Sequence, residues 1–288
     1  MQRMMLFLGT NMAVMLVMTI MNQVFGIDRL FGLDGHMTRN LVFAAIFGFV
    51  GAFISLAMSK SVAKRSMGVK VIEEPANDTE RWLKETVHKQ AAESGIGLPE
   101  VGIFNSPTPN AFATGMNKNN ALVAVSTGLL SVMDKGEVEA VLGHEVAHVY
   151  NGDMVTMGLI QGVLNTFVIF FSRILGSIIS QAMRGNRLGY FIGSMVGNVL
   201  FGIFASFIAA WFSRQREYRA DAGGAGLSSN QNMIGALKAL QRIKEPAGLP
   251  SEMAAFGIAG GKFSALRSTH PPLEVRIAKL EEAMMRKD

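Results

Sequence analysis

Cysteine is absent from this 288-residue chain. That excludes disulfide staples, a cysteine nucleophile and any thiolate metal site, so a bound metal must be held by imidazole and carboxylate. Charge is scarce as well. Charged residues make up 17% of the chain against 49% hydrophobic, where an ordinary soluble domain carries about 25% charged residues. The deficit points to a membrane protein. The net charge of +5 does not argue for nucleic acid, because the basic residues gather beside apolar runs and not in a stripe with aromatics. No nucleic-acid partner is expected. The twenty methionines fall largely within apolar runs, as Met12, Met15, Met18 and Met21 do, where thioethers fill packing gaps; they do not form a copper set. No internal repeat or low-complexity tract is present.

Four uncharged runs remain. Met4 to Phe25, as a helix, reaches roughly 33 Å and would cross a hydrocarbon core of about 30 Å. It is too long for the apolar core of a signal peptide, about 7–15 residues, and Asn22-Gln23-Val24-Phe25 is not a small-residue cleavage site. The second run is Leu41 to Ser59, followed by Lys60, Lys64, Arg65 and Lys70. The positive-inside rule places that basic cluster, and the N-terminus, in the cytoplasm and the Gly26–Asn40 loop outside. Met154 to Ser172 and Leu188 to Phe212 read as a packed apolar hairpin. Gly189, Gly193 and Gly197 form a ridge of small residues, and Gly158 with Gly162 offers a groove to match. The length of the hairpin fits a full crossing, whereas Arg173, Arg184 and Arg187, read as lying in its turn, are disfavoured on the outer side.

The intervening chain, from about Val69 to Asp153, is mixed. Strands are expected near Val69–Ile72, Val101–Phe104 and Ala121–Ser126, and a helix near Asp78–Ser94. Asp134 and Glu137 form a capping box that opens a further helix. The segment from Ser213 onward reads as mainly helical, with Leu273, Ile277, Leu280 and Met284 on one core-facing side of the last helix.

The helix opened by Asp134 carries His144-Glu145-Val146-Ala147-His148. Two histidines one turn apart stack on one face and can bite a single Zn²⁺. Glu145, beside the first, can reach a water on that ion. This arrangement permits metal-assisted hydrolysis, with the carboxylate taking the water's proton and delivering it to the leaving amine. A chance match on a buried helix is the competing explanation. It would leave imidazoles and a carboxylate without partners among Val141, Leu142, Val146 and Val149.

A third protein ligand is required. The metzincin pattern would place Gly and His where this chain has Asn151 and Met154, which excludes that class. Glu217 and Asp221, one turn apart directly after the hairpin, supply the alternative: Glu217 as ligand, and Asp221 as the carboxylate that orients a ligating imidazole. Surface pairing with Arg214, Arg216 and Arg219 would be their ordinary use. However, a hairpin that returns the chain to the side it left brings both ligand sets together. His36, in the expected outer loop, and His88, on a charged helix, are not expected to be ligands.

The motif His144–His148, the pair Glu217 and Asp221, the two N-terminal spans and the apolar hairpin together resemble the HtpX family over essentially the whole chain. These are bacterial membrane-bound heat-shock zinc metalloproteases, gluzincin-like and related to the type I CAAX prenyl proteases. The resemblance implies a mainly α integral membrane zincin with a small β-sheet. Residues 1–59 would hold two transmembrane helices and a short outer loop. Residues 60–288 would form a cytoplasmic metalloprotease domain interrupted by the hairpin 154–212. The implied protein is a multi-pass resident of the bacterial inner membrane whose active site faces the cytoplasm. It would use one catalytic Zn²⁺ to cleave damaged or misfolded membrane proteins under stress. Its partners would be polypeptide substrates, the bilayer and other membrane quality-control proteases.

Two further places fit the family pattern. Asn110 and Phe112 lie in the segment leading to a substrate-pairing edge strand, which also reads as an ordinary hairpin. His270, before Pro271 and Pro272, is either a hydrogen-bond donor to the tetrahedral oxyanion or a local helix cap. A site-specific processing peptidase of the CAAX-protease kind would share every catalytic residue. A non-enzymatic membrane protein with a structural zinc would need four protein ligands, and no fourth is evident.

Overall fold

The computed structural model describes residues 36–244 and 270–286, with side chains from 43 to 242 and from 270 onward. The expected first span, Met4–Phe25, lies outside the described residues. Among the described residues, three helices are long and apolar enough to cross a membrane. The chain divides into two units. One holds the described residues up to Ser55 and Gly158–Ser206; the other holds Leu56–Met157 and the described residues from Phe207 onward.

Helix α1 runs His36–Met67, so His36–Asn40, expected in a loop, is helical. Near a bilayer boundary the backbone groups must be satisfied within the helix, which favours extending it past the apolar run at both ends. It stops at Gly68, whose φ of 62° lets the Val69 amide donate to the Lys64 carbonyl at 2.9 Å, a Schellman closure.

In the first unit, α1 packs on helix α5 (Asp153–Ala182) and α5 on helix α6 (Arg187–Leu227). A Cβ on Gly197 would lie 2.7 Å from the Ser172 Cα, and one on Gly193 2.9 Å from the Gly176 Cα. The glycine ridge of α6 therefore sits on Ser172 and Gly176. Gly162 instead faces Phe49 of α1, and Gly48 faces Gly162 and Thr166. The groove expected at Gly158 and Gly162 to take the ridge thus receives α1 at Gly162. Arg173 is likewise not in the turn. α5 continues to Ala182, and the Arg173 guanidinium stacks on Phe43 at 3.9 Å, a cation–π contact that accommodates the charge within a long helix.

In the second unit, α1 leads into a four-stranded sheet: β1 (Lys70–Val71), β2 (Glu100–Phe104), β3 (Ala111–Asn117) and β4 (Asn120–Ser126). Their order is β1-β2-β4-β3; β2 and β4 are parallel, and the outer pairs antiparallel. β3 is thus an edge. Helix α2 (Asp78–Glu93) starts at Asn77, whose side chain accepts from the Glu80 amide. After the short α3 (Thr127–Val132), helix α4 (Lys135–Tyr150) begins with the expected capping box of Asp134 and Glu137.

α4 is apolar nearly all round because it is covered on two sides. Val138, Leu142, Val146 and Val149 join Leu83 and Val87 of α2 and Val123 and Val125 of β4 in one core. Ala140 joins a second core with Met233 and Leu237 of α7 (Asn230–Lys244) and Leu273, Ile277 and Leu280 of α8 (Leu273–Met285). Leu142 is fully buried, so Leu142→Ala would cost about 2–5 kcal/mol at the centre of the motif helix.

Candidate active site

The packing of α4 against sheet, α2 and α7 leaves its His144–Glu145–His148 face for α6. That helix can come close because Gly223 and Gly224 lie at the crossing. A Cβ on Gly224 would stand 2.9 Å from the His144 amide nitrogen, and one on Gly223 2.5 Å from the Ala147 Cβ. Two glycines inside a helix cost about 1 kcal/mol each in propensity. Here they bring the preceding turns, with Glu217 and Asp221, onto the motif.

Glu217 is 1% exposed and Asp221 2%. His148 Nε2 lies 3.4 Å from Glu217 Oε1, His144 Nε2 lies 3.6 Å from Glu217 Oε2, and the two Nε2 atoms are 3.2 Å apart. Ligands at bond lengths of about 2.0–2.1 Å on a tetrahedral ion are separated by roughly 3.3 Å. The two Nε2 atoms and the Glu217 carboxylate, whose two oxygens each face one imidazole, therefore stand at the spacing of ligands around one ion.

The far nitrogens carry the complementary half of the design. His144 Nδ1 lies 3.0 Å from Asp221 Oδ1, an ion-pair distance without an aligned hydrogen bond. His148 Nδ1 lies 2.7 Å from Asp153 Oδ2. With each Nδ1 turned to a carboxylate, the Nε2 lone pairs converge, an arrangement that suits a cation between them. Burial opposes charge on both rings, but the carboxylates outweigh it. Asp153 and Glu217 push His148 up to about 9, and Asp221 and Glu217 raise His144 above the usual imidazole range.

Arg276 of α8 closes the other side. Its Nε donates to Asp221 Oδ2 at 2.8 Å, a second nitrogen donates to Oδ1, and Nη1 stands 3.5 Å from Glu217 Oε2. At 6% exposed, it offsets the buried acids that would otherwise repel each other. His270 turns its Nδ1 to Glu217 Oε2 at 2.7 Å. Pro272, not His270, caps α8, with no side-chain cap bond, so the local-cap reading of His270 is replaced by contact with the site.

A cavity of about 230 Å³ opens over this cluster, lined by His144, Glu145, Glu217 and His270 on the polar side and Leu129, Val141 and Met233 among the apolar ones. Asn110 and Ala111, at the start of edge strand β3, form part of its wall. Phe112 does not. Strand alternation turns it away from α4, and its ring packs 5.5 Å from Phe104. Of the two residues expected at a substrate-pairing strand, the cavity wall includes Asn110 and not Phe112.

The model of peptidase family M48 matches residues 77–284. This chain belongs to peptidase family M48. It is a membrane metalloprotease, with polypeptides as its substrates and the bilayer as its surroundings. Among M48 relatives it is 55% identical to the protease HtpX of Thioalkalivibrio sulfidiphilus over 99% of this chain and 100% of that one. It is 56% identical to the protease HtpX homolog of Thiobacillus denitrificans over 97% and 99%. In fold it is similar to the crystal structure of S. mikatae Ste24p, with a TM-score of 0.62 and 21% identity, covering 94% of this chain and 66% of that one.

Sequence reasoning missed Asp153 and Arg276. Asp153 was visible only as the first charge before an apolar run; Arg276 stood on an amphipathic helix, where a lone arginine ordinarily faces water.

Proposed function

We propose that this M48 peptidase is a zinc-dependent endopeptidase of the bacterial inner membrane that cleaves damaged or misfolded membrane proteins, with its active site facing the cytoplasm. The observation that carries the reading is the convergence of His144 Nε2, His148 Nε2 and the Glu217 carboxylate, whose two oxygens lie 3.6 and 3.4 Å from the two imidazoles, with Glu145 in the wall of the same cavity. Zinc bound there supplies Lewis-acid polarisation of the scissile carbonyl and of the attacking water.

The remaining work belongs to side chains. Glu145 accepts the proton of the water as its oxygen adds to the carbonyl carbon, then delivers that proton to the amide nitrogen as the C–N bond breaks. Asp221 orients the His144 imidazole, and Arg276 holds Asp221. His270, at the cavity rim, donates to the oxyanion that develops on the carbonyl oxygen.

Among the described residues the outer edge of β3 has no partner strand, and it adjoins the cavity at Asn110, so an extended substrate can add as a strand through main-chain hydrogen bonds. Recognition of that kind tolerates many sequences, as quality control requires. The cytoplasmic orientation is supported by Lys60, Lys64, Arg65 and Lys70 at the end of α1. Other membrane quality-control proteases are natural partners for such an activity.

Incubating the purified protein with unfolded membrane proteins and, separately, with short lipidated peptides tests the substrate class. Cleavage of the unfolded proteins is expected. Cleavage confined to the peptides would assign the chain to site-specific processing.

A further inference from the structure

Asp153 opens α5 and is 0% exposed. Besides the 2.7 Å contact of its Oδ2 with His148 Nδ1, its Oδ1 accepts from Arg219 at 3.4 Å. Its main-chain carbonyl accepts from Arg216 Nη1, also at 3.4 Å. Both arginines belong to α6 and flank Glu217. A buried carboxylate is costly unless paired, and this one is paired with an imidazole of the site on one side and with the returning helix on the other.

The position in the chain gives the arrangement its meaning. Asp153 is the first residue of the helix that leaves for the apolar hairpin, and Arg216, Glu217 and Arg219 follow the stretch that returns. Gly152, with φ of 65°, turns the chain between His148 and Asp153 so that a residue outside α4 can reach back to the ring.

We propose that Asp153 is a positioning residue for His148 and that, held by Arg219 and Arg216, it fastens both ends of the hairpin to the metal-binding face. The inference rests on the metal-site reading above. The carboxylate keeps the proton on Nδ1, aims the Nε2 lone pair towards Glu217 Oε1 and raises its basicity. α5 then acts on one ligand through Asp153, while α6 supplies another as Glu217. Separation of the two helices at their base would disturb both ligands at once.

The test uses the full chain in detergent, with Zn²⁺ affinity read by competition with a chromophoric chelator and ligand geometry read from the visible absorption of the Co²⁺ form. Asp153→Asn keeps the shape and removes the charge. It is expected to weaken metal binding by about 10–100-fold and to shift the Co²⁺ bands, while thermal unfolding stays cooperative. Arg219→Gln alters a side chain that is 61% exposed and therefore leaves folding intact; a several-fold loss of affinity in the same direction is expected.

Wild-type affinity and an unchanged Co²⁺ spectrum in Asp153→Asn would overturn the positioning role. The same result in Arg219→Gln would overturn the fastening, and this variant decides alone if Asp153→Asn does not fold. His144→Ala is the control: if it too binds metal as the wild type does, the metal-site reading itself falls, and the role of Asp153 with it.

Discussion

His148 and Glu217 stand 3.4 Å apart, Nε2 to Oε1, although the entire apolar hairpin separates them in the chain. On the proposed assignment Glu217 completes the ligand set. Glu217→Ala is therefore expected to lose stoichiometric metal on dialysis and, with it, proteolysis. Metal analysis of the purified variant checks this; full metal and activity would move the third ligand elsewhere, to Asp221 first.

Glu145 lines the cavity beside His144 without belonging to the trio of converging atoms. Glu145→Gln should retain metal at the wild-type ratio, while turnover of an unfolded polypeptide drops by about 10²–10⁴-fold, the usual weight of a general base. Unchanged proteolysis would remove Glu145 from the role of base.

Asp221 and Arg276 form a buried, bidentate pair. Loss of one partner leaves the other charge without compensation, and Arg276→Met should destabilise the fold by about 3–5 kcal/mol. The double variant Asp221→Asn with Arg276→Met should cost clearly less than the sum of the two single changes. Denaturant unfolding of the three proteins measures the coupling; strict additivity would show that the pair does not act as a unit.

Gly197 and Ser172 allow α6 and α5 to approach within backbone contact. Gly197→Leu cannot be accommodated without moving the Ser172 backbone, so a lower unfolding temperature in detergent is expected. An unfolding temperature equal to that of the wild type would contradict the helix register.

The parts of the structure legible in the sequence are those with a local signal. The capping box at Asp134 and Glu137, the turn-spaced histidines and the core face of α8 each depend on residues within a few positions of one another, and each is found where expected. Glu217 and Asp221 could be singled out because the hairpin logic brought them back to the motif. Relations made only in three dimensions were not legible. The glycine ridge has a clear period, but nothing in the period says that Ser172 and Gly176, and not Gly158 and Gly162, receive it. Gly223 and Gly224 look like weak points of a helix until α4 is seen to cross there. Phe112 alternates away from the cavity because β3 begins at Ala111, and a shift of one residue in a strand reverses the face.

The position of the hairpin between His148 and Glu217 also bears on how the protein is made. A ribosome releases His144, Glu145 and His148 well before Glu217, and Arg276 later still. On the proposed assignment, until both hairpin helices have been synthesised and folded back the growing chain holds the base and two imidazoles but no third ligand. A molecule arrested during membrane insertion is then expected to be inert towards its neighbours, with hydrolytic competence arriving together with correct assembly.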